Sequence, residues 1–443
     1  MGPRLKLLSL AALVCVFSGP THAESPAPRV PDTPAGHTLG AWLDALNSGD
    51  GARLVSFLKT YPSQWAPDEM VRWSAETGGY DLLWAQADVP TNIFFRVKQR
   101  SQDVEEFGRL QVSATSPVNL TALDVRRIPM GARVEPVTLD DAARARVVRQ
   151  VVSLLDRFHV DPKIGKALSA AVRKRAARGD YRSLTYGDEF ARKLTEDLRE
   201  IGQDKHLEVR FSYFIQPAQL PARDPVADAK LRASNCGFER AEHLRPNIGY
   251  VKFNFFADPD ICAPTASAAM NFLADSDSLI LDLRDNTGGM GGMVTFIASY
   301  FFAERTHLGD GFRRADNVTT ESWTLPYVPG RKFIDKPVFV LISKRTFSAG
   351  EALAYLLKDL KRATLIGEKT VGGSGTIEFK PIDDHFLIVV PTGRVISPIT
   401  KTDWAGTGVE PDVKSAADEA LDVALKLAVT RIGKVGSAPV EGR

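Results

Sequence analysis

The run LILDLRDNTGGMGGM, Leu279 to Met293, decides how the second half of the chain is read. Its opening residues are apolar on consecutive positions, the pattern of a strand covered on both faces, and they end in Asp282 and Arg284. Paired glycines follow and open the next helix. Glycine lets the backbone turn tightly and brings a main-chain N–H close to a ligand. The lysine and hydroxyl of a phosphate loop are missing, which argues against a nucleotide site.

Working outward, strand-like runs (NIGYVKFNFF, SLILDLRD, VFVLIS, ATLIGEK, HFLIVVP) alternate with helical ones (TASAAMNFLA, MVTFIASYFF, GEALAYLLKDL, ADEALDVALKLAVTRI). Alternation of this kind predicts an α/β core, assigned to residues 231–433. Residues 139–230 carry helical periodicity almost throughout. Before them, residues 37–138 read as helices followed by four strands (DLLWAQA, NIFFRVKQR, FGRLQVSAT, NLTALDVRRI), a small α+β domain that resembles nuclear-transport-factor-like domains. Residues 24–36, rich in proline and small residues, read as a linker.

The first 23 residues have Arg4 and Lys6, an apolar run from Leu7 to Phe17 and small residues up to Ala23, the layout of a cleavable signal peptide. Export to the periplasm or medium is the expectation, with no stable membrane insertion. Cleavage takes the formal net charge from +2 to about zero, since Arg4 and Lys6 leave, and nothing global then points to nucleic acid. The basic run Arg173 to Arg175 reads as the wet face of a helix. Two of three cysteines survive, Cys236 and Cys262, and in an oxidising compartment they are expected to pair.

A second stretch bears on chemistry. KPVFVLIS, Lys336 to Ser343, reads as a buried strand, and RTFSAGEALAYLLKDL, Arg345 to Leu360, as a turn and helix with Ser348 at its mouth. Ser348 is either an N-cap or a nucleophile held at the end of a sheet. Acyl transfer needs two N–H donors for the developing oxyanion, and Gly288 or Gly289 together with Ala349 can supply them. A base is needed too. Of seven histidines, His22 leaves with the signal, and His206 in GQDKHLEVRFS stands between a helical segment and a strand-like run.

DLRDNTGG, FSAGEA around Ser348, GEKTVGGSG at 367–375 and GTGVEPDV at 406–413 occur in the order and spacing of tail-specific, or C-terminal processing, serine peptidases. The GQDKHLEV segment resembles the subgroup that includes interphotoreceptor retinoid-binding protein and, more distantly, the tricorn core. The resemblance implies a crotonase-like α/β catalytic core with a preceding helical segment, a polypeptide substrate, no cofactor or metal, Ser348 as nucleophile and His206 as base. Two departures from the family pattern stand out. The turn that carries a dyad lysine in serine–lysine members reads Gly372-Gly373-Ser374-Gly375 here, and Lys369 lies too early to replace it. Where the serine–histidine members have a glutamate before the terminal motif, this chain has Ala405, so Asp403, Glu410 or Asp204 is expected to act as the acid partner. Loss of that glutamate also keeps open a second reading, an inactive peptidase fold that binds an apolar ligand or peptide tail. The segment from Phe211 to Asn247 is too short for a PDZ module.

Overall fold

The computed structural model describes residues 29–215 and 225–436; the expected signal segment lies outside them. The chain divides into two compact units at Pro129 and Met130.

In the first unit, Thr33 caps α1 (Pro34–Asn47) by accepting from the Gly36 N–H at 3.1 Å, with Pro34 at the first helical position. Leu39, Trp42, Leu43 and Leu46 recur at helical spacing and form its buried face. Asn47-Ser48-Gly49 ends α1, and Asp50 restarts the chain as the cap of α2 (Gly51–Thr60). Helix α3 (Pro67–Thr77) stops at Gly78, whose φ of 65° is the left-handed conformation that glycine adopts freely. An antiparallel meander follows: β1 (Tyr80–Val89), β2 (Asn92–Gln99), β3 (Glu105–Val112) and β4 (Leu120–Arg127). Trp42 anchors the core, with ring centroids 5.4 Å from Trp73, 5.8 Å from Tyr80 and 5.7 Å from Phe95.

The second unit begins with β5 (Arg133–Val134) and three helices, α4 (Asp141–Phe158), α5 (Pro162–Arg178) and α6 (Gly187–Gly202). Asp140 and Asp161 cap the first two, and Gly179 ends α5 in the left-handed region. Then come β6 (Glu208–Phe211), β7 (Phe214–Ile215), which pairs with β5, and α7 (Pro225–Ala233).

The remainder runs through β8 (Phe238–Leu244), β9 (Ile248–Phe253), α8 (Pro259–Phe272), β10 (Ser278–Asp282), α9 (Gly291–Ala298), β11 (His307–Arg313), β12 (Val318–Trp323), β13 (Val338–Ile342), α10 (Ala349–Asp359), β14 (Thr364–Gly367), β15 (Ile377–Pro381), β16 (Phe386–Pro391), β17 (Gly393–Ile396), β18 (Val413–Lys414) and α11 (Ala420–Gly436). It contains the main sheet and two smaller ones, β12-β11-β17 and β15-β16-β6. Six strands lie in the order β18-β14-β13-β10-β9-β8, all parallel except β8. The chain therefore steps across the sheet in one direction, and right-handed crossovers taken in one direction put their helices on one face. Helices α8, α9 and α10 contribute Met270, Phe296 and Leu353 to the larger core on that face, while Ala420, Ala424 and Ala428 of α11 close the other against Ile280, Phe339 and Leu341. Strands β10 and β13 are central and buried at every position, as their unbroken apolar runs require. The mixed α/β core with a helical segment before it is the expected architecture.

One strand lies elsewhere than its sequence suggests. HFLIVVP forms β16, which belongs to a separate antiparallel sheet, β15-β16-β6, and not to the main sheet. An antiparallel strand flanked on both edges and buried on both faces has the same apolar run as a parallel core strand, so periodicity cannot separate them. Cys236, just before β8, is disulfide-bonded to Cys262 in α8, with Cα atoms 5.7 Å apart.

Candidate active site

The carboxyl ends of β10 and β13 lie side by side, and the loops leaving them are laced together. Ser343 Oγ donates to the Arg284 carbonyl at 2.6 Å, Thr346 Oγ1 to the Leu283 carbonyl at 2.8 Å, and the Phe347 N–H to the Asn286 carbonyl at 2.9 Å. Asn286 is fully buried; its Nδ2 donates to the Phe253 carbonyl and its Oδ1 accepts from the Gly288 N–H at 3.0 Å. Asp282 and Arg284 turn away from this meeting point. Asp282 accepts from Tyr250 Oη at 2.6 Å and from Arg284, whose Nη1 reaches the Ala417 carbonyl. Burial, with the Asp282 hydrogen bond, pushes the Tyr250 hydroxyl above its ordinary range.

Ser348 occupies φ 52°, ψ −115°, a region that glycine tolerates and other residues enter only at a cost of about 1–3 kcal/mol. This is not the extended conformation of an N-cap, and among the described residues its hydroxyl makes no capping hydrogen bond. Instead its N–H donates to Glu351 Oε2 at 2.9 Å. The two glycines of DNTGG serve two approaches. A Cβ on Gly288, at φ 103°, would lie 2.7 Å from Ser348 Cβ, and one on Gly289, at φ 130°, would lie 2.2 Å from the Phe256 carbonyl oxygen. Only glycine lets the backbone reach Ser348 here.

Of the expected oxyanion donors, Gly288 is already committed to Asn286. The N–H groups of Gly289 and Ala349 have no hydrogen-bond partner among the described residues. They flank Ser348, one on the glycine loop and one at the positive end of α10.

His206 sits in the turn between α6 and β6, buried to 9% exposure. Asp204 Oδ1 accepts both its main-chain N–H at 2.8 Å and its Nδ1 at 2.9 Å. Because an ionised carboxylate only accepts, Nδ1 carries a hydrogen, and in the neutral ring Nε2 then presents a lone pair. Nε2 is buried and has no partner among the described residues. The ring lies against Phe347, the residue before Ser348, with centroids 4.5 Å apart.

The alternative acids are engaged elsewhere. Glu410 pairs with Lys369 at 3.0 Å, which holds its carboxyl below the ordinary range, and Asp403 Oδ1 accepts from the Ala405 N–H at 2.9 Å. Ala405 itself is exposed. The Gly372-Gly373-Ser374-Gly375 turn packs against the site from this side, because a Cβ on Gly373 would fall 2.0 Å from the Phe347 ring. Trp404 Nε1 donates to the Gly373 carbonyl and the Gly406 N–H to the Gly372 carbonyl.

Sequence reasoning missed Asn286, Phe347 and Glu351. Ser-x-x-Glu spacing was a signal for the last, since it is the pattern of a capping box, yet only the glutamate half of that box is made.

A strained serine at a helix mouth, unpartnered main-chain donors on either side and an imidazole turned by a carboxylate are the parts of a serine hydrolase. Residues 247–415 match peptidase family S41, and residues 138–235 match the N-terminal domain of that family in eukaryotic IRBP. The chain belongs to peptidase family S41. It is 27% identical over 313 residues to a carboxyl-terminal-processing protease of Synechocystis, covering 70% of this chain and 65% of that one. It is 29% identical over 182 residues to the chloroplastic carboxyl-terminal-processing peptidase 1 of Arabidopsis thaliana, covering 40% of this chain and 35% of that one. Each of these matches thus spans less than two thirds of the relative's length. Among solved structures, the tricorn protease aligns over 79% of this chain and 46% of its own, at 12% identity and a TM-score of 0.44.

Proposed function

We propose that this chain is an exported serine endopeptidase that cleaves polypeptides through an acyl-enzyme. In this reading Ser348 Oγ attacks the scissile carbonyl while its proton passes to His206 Nε2. The carbonyl oxygen becomes an oxyanion held by the N–H groups of Gly289 and Ala349. As the C–N bond breaks, Nε2–H gives its proton to the leaving amine. Water then attacks the ester, again through His206, and frees Ser348. Asp204 keeps Nδ1 protonated and stabilises the imidazolium. The observation that carries the reading is the state of His206: its Nδ1 is fixed by Asp204 while Nε2 is bare and buried beside the strained serine segment. The signal-like N-terminus and the disulfide support export.

The second reading, a binder on a peptidase fold, is favoured by Ala405, which supplies a methyl group where the resemblance expects a carboxylate. A fluorophosphonate probe separates the two. Covalent labelling mapped to Ser348, with hydrolysis of a tail-exposed unfolded polypeptide that Ser348→Ala abolishes, is the expected result. A folded protein that binds such a polypeptide but neither labels nor cleaves supports the binder.

A further inference from the structure

One fully buried carboxylate at the site takes no part in the steps above. Glu351, in the first turn of α10, is 0% exposed and accepts four hydrogen bonds. Its Oε1 takes the Thr370 hydroxyl at 2.5 Å and the Gly372 N–H at 2.7 Å; its Oε2 takes the Ser348 N–H and the Gly373 N–H, both at 2.9 Å. A carboxylate offers roughly four acceptor positions, so all are filled. Burying a charge costs several kcal/mol unless such bonds repay it, and a cap by the Ser348 hydroxyl would serve the helix mouth without one. Burial does push the Glu351 carboxyl above the ordinary range, against the pull of its four donors.

Three of the four donors are main-chain groups from two segments more than 20 residues apart in sequence. One is the nucleophile's own N–H, held at the positive φ described above. Glu351 thereby occupies that N–H and leaves the Ser348 hydroxyl unused by the helix. The other two belong to the glycine turn that packs on Phe347, and Phe347 in turn lies on the His206 ring. Nucleophile, wall and base therefore share one tether.

We propose that Glu351 is a positioning residue whose carboxylate holds the backbone of Ser348 and the turn 370–373 in register for acyl transfer. This rests on the peptidase reading. The test uses the full chain and Glu351→Gln, which keeps the size but turns one oxygen into an amide that cannot accept. With the variant shown to be folded by circular dichroism, fluorophosphonate labelling of Ser348 is expected to slow at least tenfold. For a tail-exposed polypeptide, kcat should fall by the same factor with KM within twofold of wild type. Thr370→Val, which removes one donor from the same carboxylate, is expected to slow labelling two- to fivefold, and Thr370→Ser, which keeps the hydroxyl, to recover most of it.

If E351Q is folded and labels at the wild-type rate, the proposal is overturned while the reading of Ser348 stands. If E351Q does not fold, the threonine pair decides, and a wild-type labelling rate in T370V overturns the proposal. Should the wild type itself fail to label, the peptidase reading falls and amide hydrogen exchange decides the tether. Joint loss of protection at Ser348, Gly372 and Gly373 in E351Q, or in T370V if E351Q is unfolded, upholds it, and unchanged protection overturns it.

Discussion

Ser348 and His206 are held in place on different terms. Ser348 leaves the end of a central, wholly buried strand and is fixed by its surroundings: glycine below, Glu351 behind, Asn286 on the neighbouring loop. His206 rides on a short turn ahead of an antiparallel strand, held by one carboxylate and one aromatic ring. The serine is thus over-determined and the histidine is held at few points. A group that must attack along one line gains from rigidity, whereas a group that accepts a proton and returns it gains from a ring kept in one tautomer.

The largest effects test whether the two sides act as one unit. Ser348→Ala and His206→Ala should each cut hydrolysis of a tail-exposed polypeptide by at least ~10³-fold, and the double variant should be little worse than either. Additive losses would separate the two residues. Lys369→Ala should keep most activity, because that side chain is spent on Glu410.

Next, the thin support of His206 makes Asp204 its weak point. Asp204→Asn should lower kcat by ~10²–10⁴-fold, since an amide can donate to Nδ1 and reverse the tautomer. Asp403→Ala and Glu410→Ala should stay within a few-fold of wild type. An inactive E410A beside an active D204N would reassign the acid.

The core of the second unit is open to stability measurements. The Cys236–Cys262 bond spans 26 residues. In the chain-entropy account, its removal by Cys236→Ser with Cys262→Ser costs about 3.5 kcal/mol, read as a lower denaturation midpoint. Two free thiols in the unreduced, denatured protein would refute the pairing.

A smaller effect depends on pH. Asp285, on the loop from β10, sits 2.9 Å from Lys252 and 2.8 Å from Arg345, and these cations hold its carboxyl below the usual 3.8. Its contribution is fully present above pH 3.8 and disappears as pH falls through the lower folded value. Asp285→Asn should therefore cost about 1 kcal/mol at neutral pH, given its partial exposure, and the gap to wild type should close in acid. A gap that widens in acid would contradict the assignment.

The smallest effect concerns Ala405. The position is exposed and Asp204 already holds Nδ1, so Ala405→Glu should change kcat less than about twofold, well short of the larger gains general-base terms can reach. A large gain would mean that the base side lacks an acid after all.

How much of this was legible follows the same division. DNTGG and FSAGEA are contiguous, each glycine answers a local steric demand, and the apolar runs before them mark central strands, so the surroundings of Ser348 were readable. The Cys236 and Cys262 pairing was also within reach of composition and compartment. Which carboxylate meets His206 was not, because Asp204, Asp403 and Glu410 differ in what surrounds them in space and not in spacing along the chain. Glu351 was hidden for another reason: its partners Thr370, Gly372 and Gly373 come from a turn whose return to the helix mouth no periodicity announces. HFLIVVP went to the wrong sheet because burial on both faces erases the difference between a parallel and an antiparallel neighbour.

The pairing of β6 with β16 sets an order of events during synthesis. Val209 lies opposite Ile388 and Phe211 opposite Phe386, so the strand that follows His206 has no neighbour on that edge until some 180 residues more have left the ribosome. Ser348, Gly373 and Trp404 are made within that interval or just after it. A growing chain therefore carries its histidine early but cannot dock it on Phe347 or pair its strand until most of the sequence exists. In the proposed peptidase reading, the unfinished chain therefore has no assembled site.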